Sequence, residues 1–468
     1  MKNVLILSSI SAVSFVNGLS INNSNQYARR SSFTDSYNKV YNSLEQNSNV
    51  YNFCQGNFID PNTYTPLSNS ELISVQALIR NGDHSPSIYL EDDRKVFNFC
   101  NLSKYNSILR PVSSIMVNST TDPISQGKLI ELSTNDVCEP GFVSEKGGLT
   151  SLEIGKTVRS IYIDKLGFLS STLKNSDQLK VRIDAVPRSP QTAKFFLSGL
   201  YPISGNDTDV VINSYYLPLD KENTIDNWEN CPKAQYLSDL IQSSDEYQEY
   251  LKQNPENISL MNTLYTTNTS DVYFTKTRYI YLDNIQKRIC HNLPYPCNSK
   301  GQCVTEEMYK SFRAGVNWEY FYQRTMTKNS AEYSRLLQGF FIADFKRDLE
   351  EVVRNNKNRK KCPRKKTPRF YIYTALDSTI NSVIYTLMGD FPNTFIPPFS
   401  SNLFVEVWKN KSSGKLSVRV IYNNQILKVL GENGSTQPWC DMNSCDYDTF
   451  VNFLAKKQVT DPATECAI

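Results

Sequence analysis

The sequence predicts an α/β fold in which a sheet covered by helices is interrupted by a mainly helical insertion. Three observations carry that expectation. Over residues 71–204, short apolar runs bounded by turn residues alternate with segments of helical period. Residues 205–350 change to Tyr-rich, helix-like stretches whose loops carry Cys231, Cys290, Cys297 and Cys303. Strand-like runs then return over residues 351–468.

Taken in order, Lys2, the apolar run Val4–Val16 and the small Gly18 read as an export signal over residues 1–18. No later stretch of about 18 apolar residues could stop transfer. Residues 19–70 are Asn- and Ser-rich and predict a polar N-terminal arm whose end Cys54 could staple to the body. Leu72–Ile79 is dense in apolar residues and runs into Arg80-Asn81-Gly82-Asp83, which predicts a buried strand ending in a turn. Thr150 and Glu153 have capping-box spacing, so a helix is expected to begin there. Lys180–Ala185 predicts a second strand, followed by a helix through Thr192–Leu197 that closes at Gly199. Phe370–Ala375, Leu403–Trp408 and Leu416–Tyr422 predict three further strands rejoining the first sheet.

Composition narrows the function classes. Fifty Lys and Arg against 47 Asp and Glu leave a formal charge of +3, so the whole molecule offers no field for nucleic acid. Nine basic residues and no acidic one lie between Arg354 and Arg369, either a patch for a polyanion or acidic partner or a solvated loop. Eleven cysteines suit disulfides in an oxidising compartment, with one left over. Eight glycan sequons, at Asn22, Asn101, Asn118, Asn206, Asn257, Asn268, Asn410 and Asn433, fit the same route and mark surface positions. Only two histidines are present, His84 and His291, which restricts imidazole chemistry. The spacing of Cys290, His291, Cys297 and Cys303 fits no standard zinc site, so no metal or other cofactor is expected.

The chemistry-bearing segment is Arg80-Asn81-Gly82-Asp83-His84-Ser85-Pro86, at the carboxyl end of the first strand, where open α/β sheets bind ligands. It resembles the Arg-His-Gly-x-Arg-x-Pro signature of the histidine acid phosphatases, with Asn81 in the place of the histidine and His84 in that of the second arginine. Three more segments fall in family order. Arg182 through Pro202 resembles the second phosphate-binding strand and its helix, with Arg182, Arg188 and Gly199 to Pro202 at matching spacing. Phe370–Ile380 resembles the strand carrying the His-Asp pair, with Asp377 kept and Leu376 in the histidine position. Pro397-Pro398 with Glu406 matches a further landmark. The match over residues 149–162 is looser, because the helix there reads as shorter than usual.

The resemblance implies a mixed-sheet sandwich of histidine phosphatase type with an inserted helical domain. In active members the first histidine becomes a phosphohistidine, three arginines and the later histidine hold the phosphate, and the aspartate protonates the leaving alcohol. Asn81 has no free nitrogen lone pair, so it can hydrogen-bond an anion but cannot be phosphorylated this way. Leu376 can neither donate nor carry charge. Arg80 and Arg182 are the expected phosphate-binding remnant, and Asp377 with His84 the only catalytic candidates should activity survive.

The expectation is therefore a secreted, non-catalytic member acting as an extracellular signalling or complex subunit. A binding protein for phosphorylated ligands and a residual acid phosphatase are the alternatives. The partners expected are extracellular proteins or an anionic ligand, with no nucleic acid and no membrane span.

Overall fold

The computed structural model describes residues 52–116, 136–173, 177–203, 210–218, 221–226, 231–265, 268–270, 277–358, 368–390, 394–431, 435 and 437–468. The central element is β1 (Ser70–Arg80), buried from Leu72 onward. Beside it come β2 (Val112–Met116), β3 (Leu179–Ile183), β4 (Ile212–Tyr216), β5 (Phe370–Ala375), β6 (Asn402–Asn410), β7 (Leu416–Tyr422), β8 (Gln425–Ile426) and β9 (Cys445–Asp446). They form one mixed sheet in the order β2-β4-β3-β5-β1-β6-β7-β8, with β9 on β7. Pairing is parallel from β2 to β1 and antiparallel from β1 to β8. The register shifts between Leu72 and Ser74, a bulge in the antiparallel pair with β6. Because β1 has helices over both faces, it places apolar side chains on each, Val75, Ala77 and Ile79 on one and Ile73 and Leu78 on the other, so the run does not read as alternating.

One face is covered by α1 (Glu145–Arg159), which continues as a π-helical turn over Ser160–Lys165, and by α2 (Arg188–Leu200). Ile154, Val158, Phe196 and Leu197 pack there on Val75, Ala77, Ile79 and Val181. The helices α3 (Pro232–Gln242), α4 (Asp245–Leu251), α5 (Pro255–Asn262), α6 (Tyr279–Cys290) and α7 (Glu306–Phe321) follow β4. Next, α8 (Ser330–Asn358) lays Phe341, Ile342, Phe345 and Leu349 on the other face of the sheet, joined by α9 (Asp377–Thr386) and α10 (Tyr447–Ala455).

Several local expectations are corrected. Residues 53–69 are packed on the body rather than extended, with Phe53, Ile59 and Tyr64 buried, while the expected staple is present as the Cys54–Cys290 disulfide. Within the span expected to be an insertion, Ile212–Tyr216 is a strand of the main sheet, and α8 crosses position 350 while packed on that sheet. The first covering helix starts at Glu145, not at Thr150. Ser144 caps it by accepting from the Gly147 amide at 3.1 Å, while Thr150 donates back to the Lys146 carbonyl inside the helix. Two consecutive glycines, 147 and 148, hid that start.

Ten cysteines pair as 54–290, 100–138, 231–466, 297–303 and 440–445. Cys362 lies outside the described residues, as do the signal segment and Asn22, Asn118, Asn206 and Asn433. Asn268 is exposed, and Asn101, Asn257 and Asn410 are half-buried. Most of the basic run at 354–369 is also outside the description, but Arg369 stacks over Phe168 at 4.3 Å rather than joining a solvated patch. Among the described residues no helix is long and apolar enough to cross a membrane.

Candidate functional site

At the carboxyl end of β1 the chain leaves Arg80 and enters a loop clamped between α1 and α2. The Gly82 amide donates to Thr192 Oγ1 at 3.2 Å, and the Asp83 carbonyl accepts from the Ser144 amide at 3.0 Å. Contact is backbone on backbone. A Cβ on Gly147 would lie 2.0 Å from the Asp83 carbonyl oxygen, and one on Gly82 would lie 2.2 Å from the Gly147 carbonyl oxygen. Neither obstacle is a flexible side chain, so Gly147→Ala is expected to cost about 2 kcal/mol. Calorimetry checks this: a melting temperature equal to wild type would show that the loop yields freely.

Charge converges on this loop. Arg80 is 1% exposed, and its Nη2 meets Asp377 Oδ2 at 3.1 Å while Nη1 donates to the Pro397 carbonyl. Tyr279 of α6 donates to the same Asp377 oxygen at 3.0 Å. Burial alone would raise the Asp377 carboxyl, but Arg80, Lys287, the Tyr279 hydroxyl and Arg188 outweigh it and hold it below the usual carboxylate range.

The Phe399 ring is a common support, with the Arg80 guanidinium 4.6 Å above its centroid, the His84 ring edge-on at 5.2 Å and Lys287 Nζ at 5.5 Å. His84 is 3% exposed, and its Nδ1 donates to the Ser85 carbonyl at 2.7 Å, which leaves the lone pair on Nε2. Burial, then Lys287, Arg188 and Arg80, push its imidazolium well below the usual range, so the ring is neutral.

The expected site residues therefore divide. Arg80, His84 and Asp377 come together. Asn81, also buried, turns its amide back onto the Gly82 carbonyl at 3.1 Å, and Leu376 precedes α9 without a side-chain cap. Arg182 is otherwise engaged: its Nη2 meets the buried Glu222 at 2.6 Å and Asn223 at 3.3 Å, so its charge is already matched.

Sequence reasoning missed the cations that do reach the cluster. Arg188 begins α2 and acts on His84, Asp377 and Lys287. Its place in the matching segment was the available signal, although Arg182 was preferred. Lys287 comes from α6, far from any motif, and carried none. His291, assigned no role from the sequence, stacks on Phe99 at 3.9 Å and bonds Asp83 Oδ1, which also accepts from Ser144 Oγ at 2.6 Å. It supports the motif loop from below. Cys290, Cys297 and Cys303 are all in disulfides.

Chemically the cluster offers fixed positive charge and hydrogen-bond donors suited to an oxyanion. It has no nucleophile where the resemblance puts one. Asp377, held below the usual range, has no proton to give in moderately acidic solution.

Residues 71–423 match the Histidine phosphatase superfamily (branch 2). Among curated proteins, 2-phosphoxylose phosphatase 1 of Danio rerio is 23% identical over 82% of this chain and 79% of its own length. Counting factor 60 of Dictyostelium discoideum is 23% identical over 70% and 72%. Human prostatic acid phosphatase is 23% identical over 71% and 82%. Among solved structures, the apo phytase of Hafnia alvei superposes with a TM-score of 0.53 at 13% identity, covering 86% of this chain and all of that one.

Proposed function

The chain belongs to the histidine phosphatase superfamily (branch 2), and from that premise we propose that it is a secreted, glycosylated, acid-phosphatase-like protein that binds rather than hydrolyses. The charged cluster at the end of β1 holds the phosphate group of a ligand, and the protein acts as a subunit of an extracellular signalling complex. The observation that carries the reading is the pair Asn81 and Leu376 in the two histidine positions, with the Asn81 amide spent on the Gly82 carbonyl. Loss of a covalent nucleophile costs roughly a millionfold in rate, whereas anion binding needs only the surviving charge. The five disulfides support the oxidising compartment. One relative bears the name Counting factor 60, a name that does not describe hydrolysis.

A second reading has one observation in its favour, the Nε2 lone pair of His84. In it Nε2 attacks phosphorus, the P–O ester bond breaks, and the alkoxide takes a proton from Asp377. The low-lying Asp377 carboxyl argues against the last step.

Acid-range hydrolysis of an aryl phosphate by the purified secreted protein separates the two. Turnover is expected to equal buffer. Turnover abolished by both Asp377→Ala and His84→Ala would reject the binding reading. Size-exclusion of the native secreted protein is expected to place it above monomer size.

A further inference from the structure

We infer that Lys287, supplied by α6 rather than by the sheet's loops, is a phosphate-holding residue of this pocket and replaces charge that the motif positions have lost. The inference rests on the anion-binding reading above and names a residue that carries it out.

Placement comes first. Lys287 is 1% exposed and shares the Phe399 ring with Arg80 and His84. It is also the strongest charge acting on His84, while burial, then Arg80 and Arg188, push its own ammonium well below the usual lysine range against the pull of Asp377 and Asp83. The position is fixed in advance: Asp283, one turn earlier on α6, pairs with Lys287 through Oδ1 and accepts the Ser87 amide at 3.2 Å through Oδ2. That second bond ties the helix to the motif loop, so the ammonium is already placed when a ligand arrives.

Charge balance comes second. Arg80, Arg188 and Lys287 face the carboxylates of Asp377, Asp283 and Asp83. Asp184, pushed up to about 7 by burial, is neutral in acid and adds no counter-charge. Among the described residues Arg188 has no ion-pair partner, and its buried Nε has no hydrogen-bond partner. Arg188 is thus left without a counter-ion of its own, the condition an oxyanion relieves. A purely structural role explains this poorly, because a buried Lys–Asp pair with two arginines beside it is worse for stability than apolar side chains of the same volume.

The test is titration calorimetry of the full secreted chain with inorganic phosphate at pH 5, with thermal unfolding of the ligand-free protein as the folding control. Lys287→Met is expected to weaken phosphate at least tenfold, and Lys287→Arg to stay within about threefold of wild type. Because Lys287→Met leaves Asp283 buried alone, the double variant Asp283→Asn/Lys287→Met is run beside it. It should melt near wild type without ligand and bind phosphate as weakly as the single variant. Wild-type affinity in either Met variant, or loss of affinity that Lys287→Arg does not rescue, overturns the role of Lys287 and leaves the binding reading standing. No phosphate binding by wild type overturns both.

Discussion

Glu406→Leu is expected to destabilise the protein by about 3–5 kcal/mol, because it removes one partner of a buried ion pair and strands the other. Glu406 lies in the middle of β6 and is fully buried. One carboxylate oxygen accepts from the hydroxyls of Tyr64 at 2.7 Å and Tyr162 at 2.6 Å, and the other from Trp408 Nε1 and Arg419 Nε, both at 2.8 Å. The four donors come from the segment before β1, the π turn after α1, β6 and β7. Leucine leaves all four without their acceptor and leaves the 4%-exposed Arg419 with no counter-charge. Urea unfolding of the disulfide-intact protein measures the change, and Glu406→Leu/Arg419→Met is expected to recover part of it. A loss below about 1 kcal/mol for the single variant would mean that the network contributes little.

Asp184 presents the opposite case, and its signature is a pH slope. It sits between β3 and α2, fully buried, with one oxygen accepting from the Val186 amide at 3.1 Å and Oδ2 without a hydrogen-bond partner. Burial pushes its carboxyl up to about 7, against the pull of Arg188. In the unfolded chain the same group loses its proton near pH 4. Between those values the native state holds the extra proton, so stability falls as pH rises through the window and levels off above about 7. From pH 5 to pH 8 the contribution is on the order of 2–3 kcal/mol. Asp184→Asn is expected to flatten the stability–pH curve by that amount, whatever its fixed cost at any single pH. Parallel curves for the two proteins over pH 5–8 would sink the assignment.

How much of this was legible depended on whether local sequence or distant packing decided it. The strand at 70–80 announced itself because a core strand covered on both faces is dense in apolar residues rather than alternating. The start of α1 did not, since Gly147 and Gly148 look like helix breakers until the Asp83 carbonyl is seen against them. At the site, Arg80, His84 and Asp377 could be named because they lie in motif segments. Arg182 was preferred to Arg188 because spacing cannot show that Glu222 has already engaged one of the two. Lys287 and Tyr279 were invisible because their role comes from where α6 lands, which is a property of tertiary docking.

The order of the strands also sets a timetable for biosynthesis. Val75 waits for Phe370 on one side and for Glu406 on the other, and Arg80 and Asp377 are 297 positions apart. At roughly 5–20 residues per second, the central strand β1 is made many seconds before either neighbour exists. Cys54 and Cys231 likewise precede Cys290 and Cys466 by 236 and 235 positions. Until those partners are made, the growing chain carries an unpaired strand and unmatched thiols for most of its synthesis. Throughout that interval it is open to strand pairing and thiol reactions with other chains, whatever the final stability of the fold.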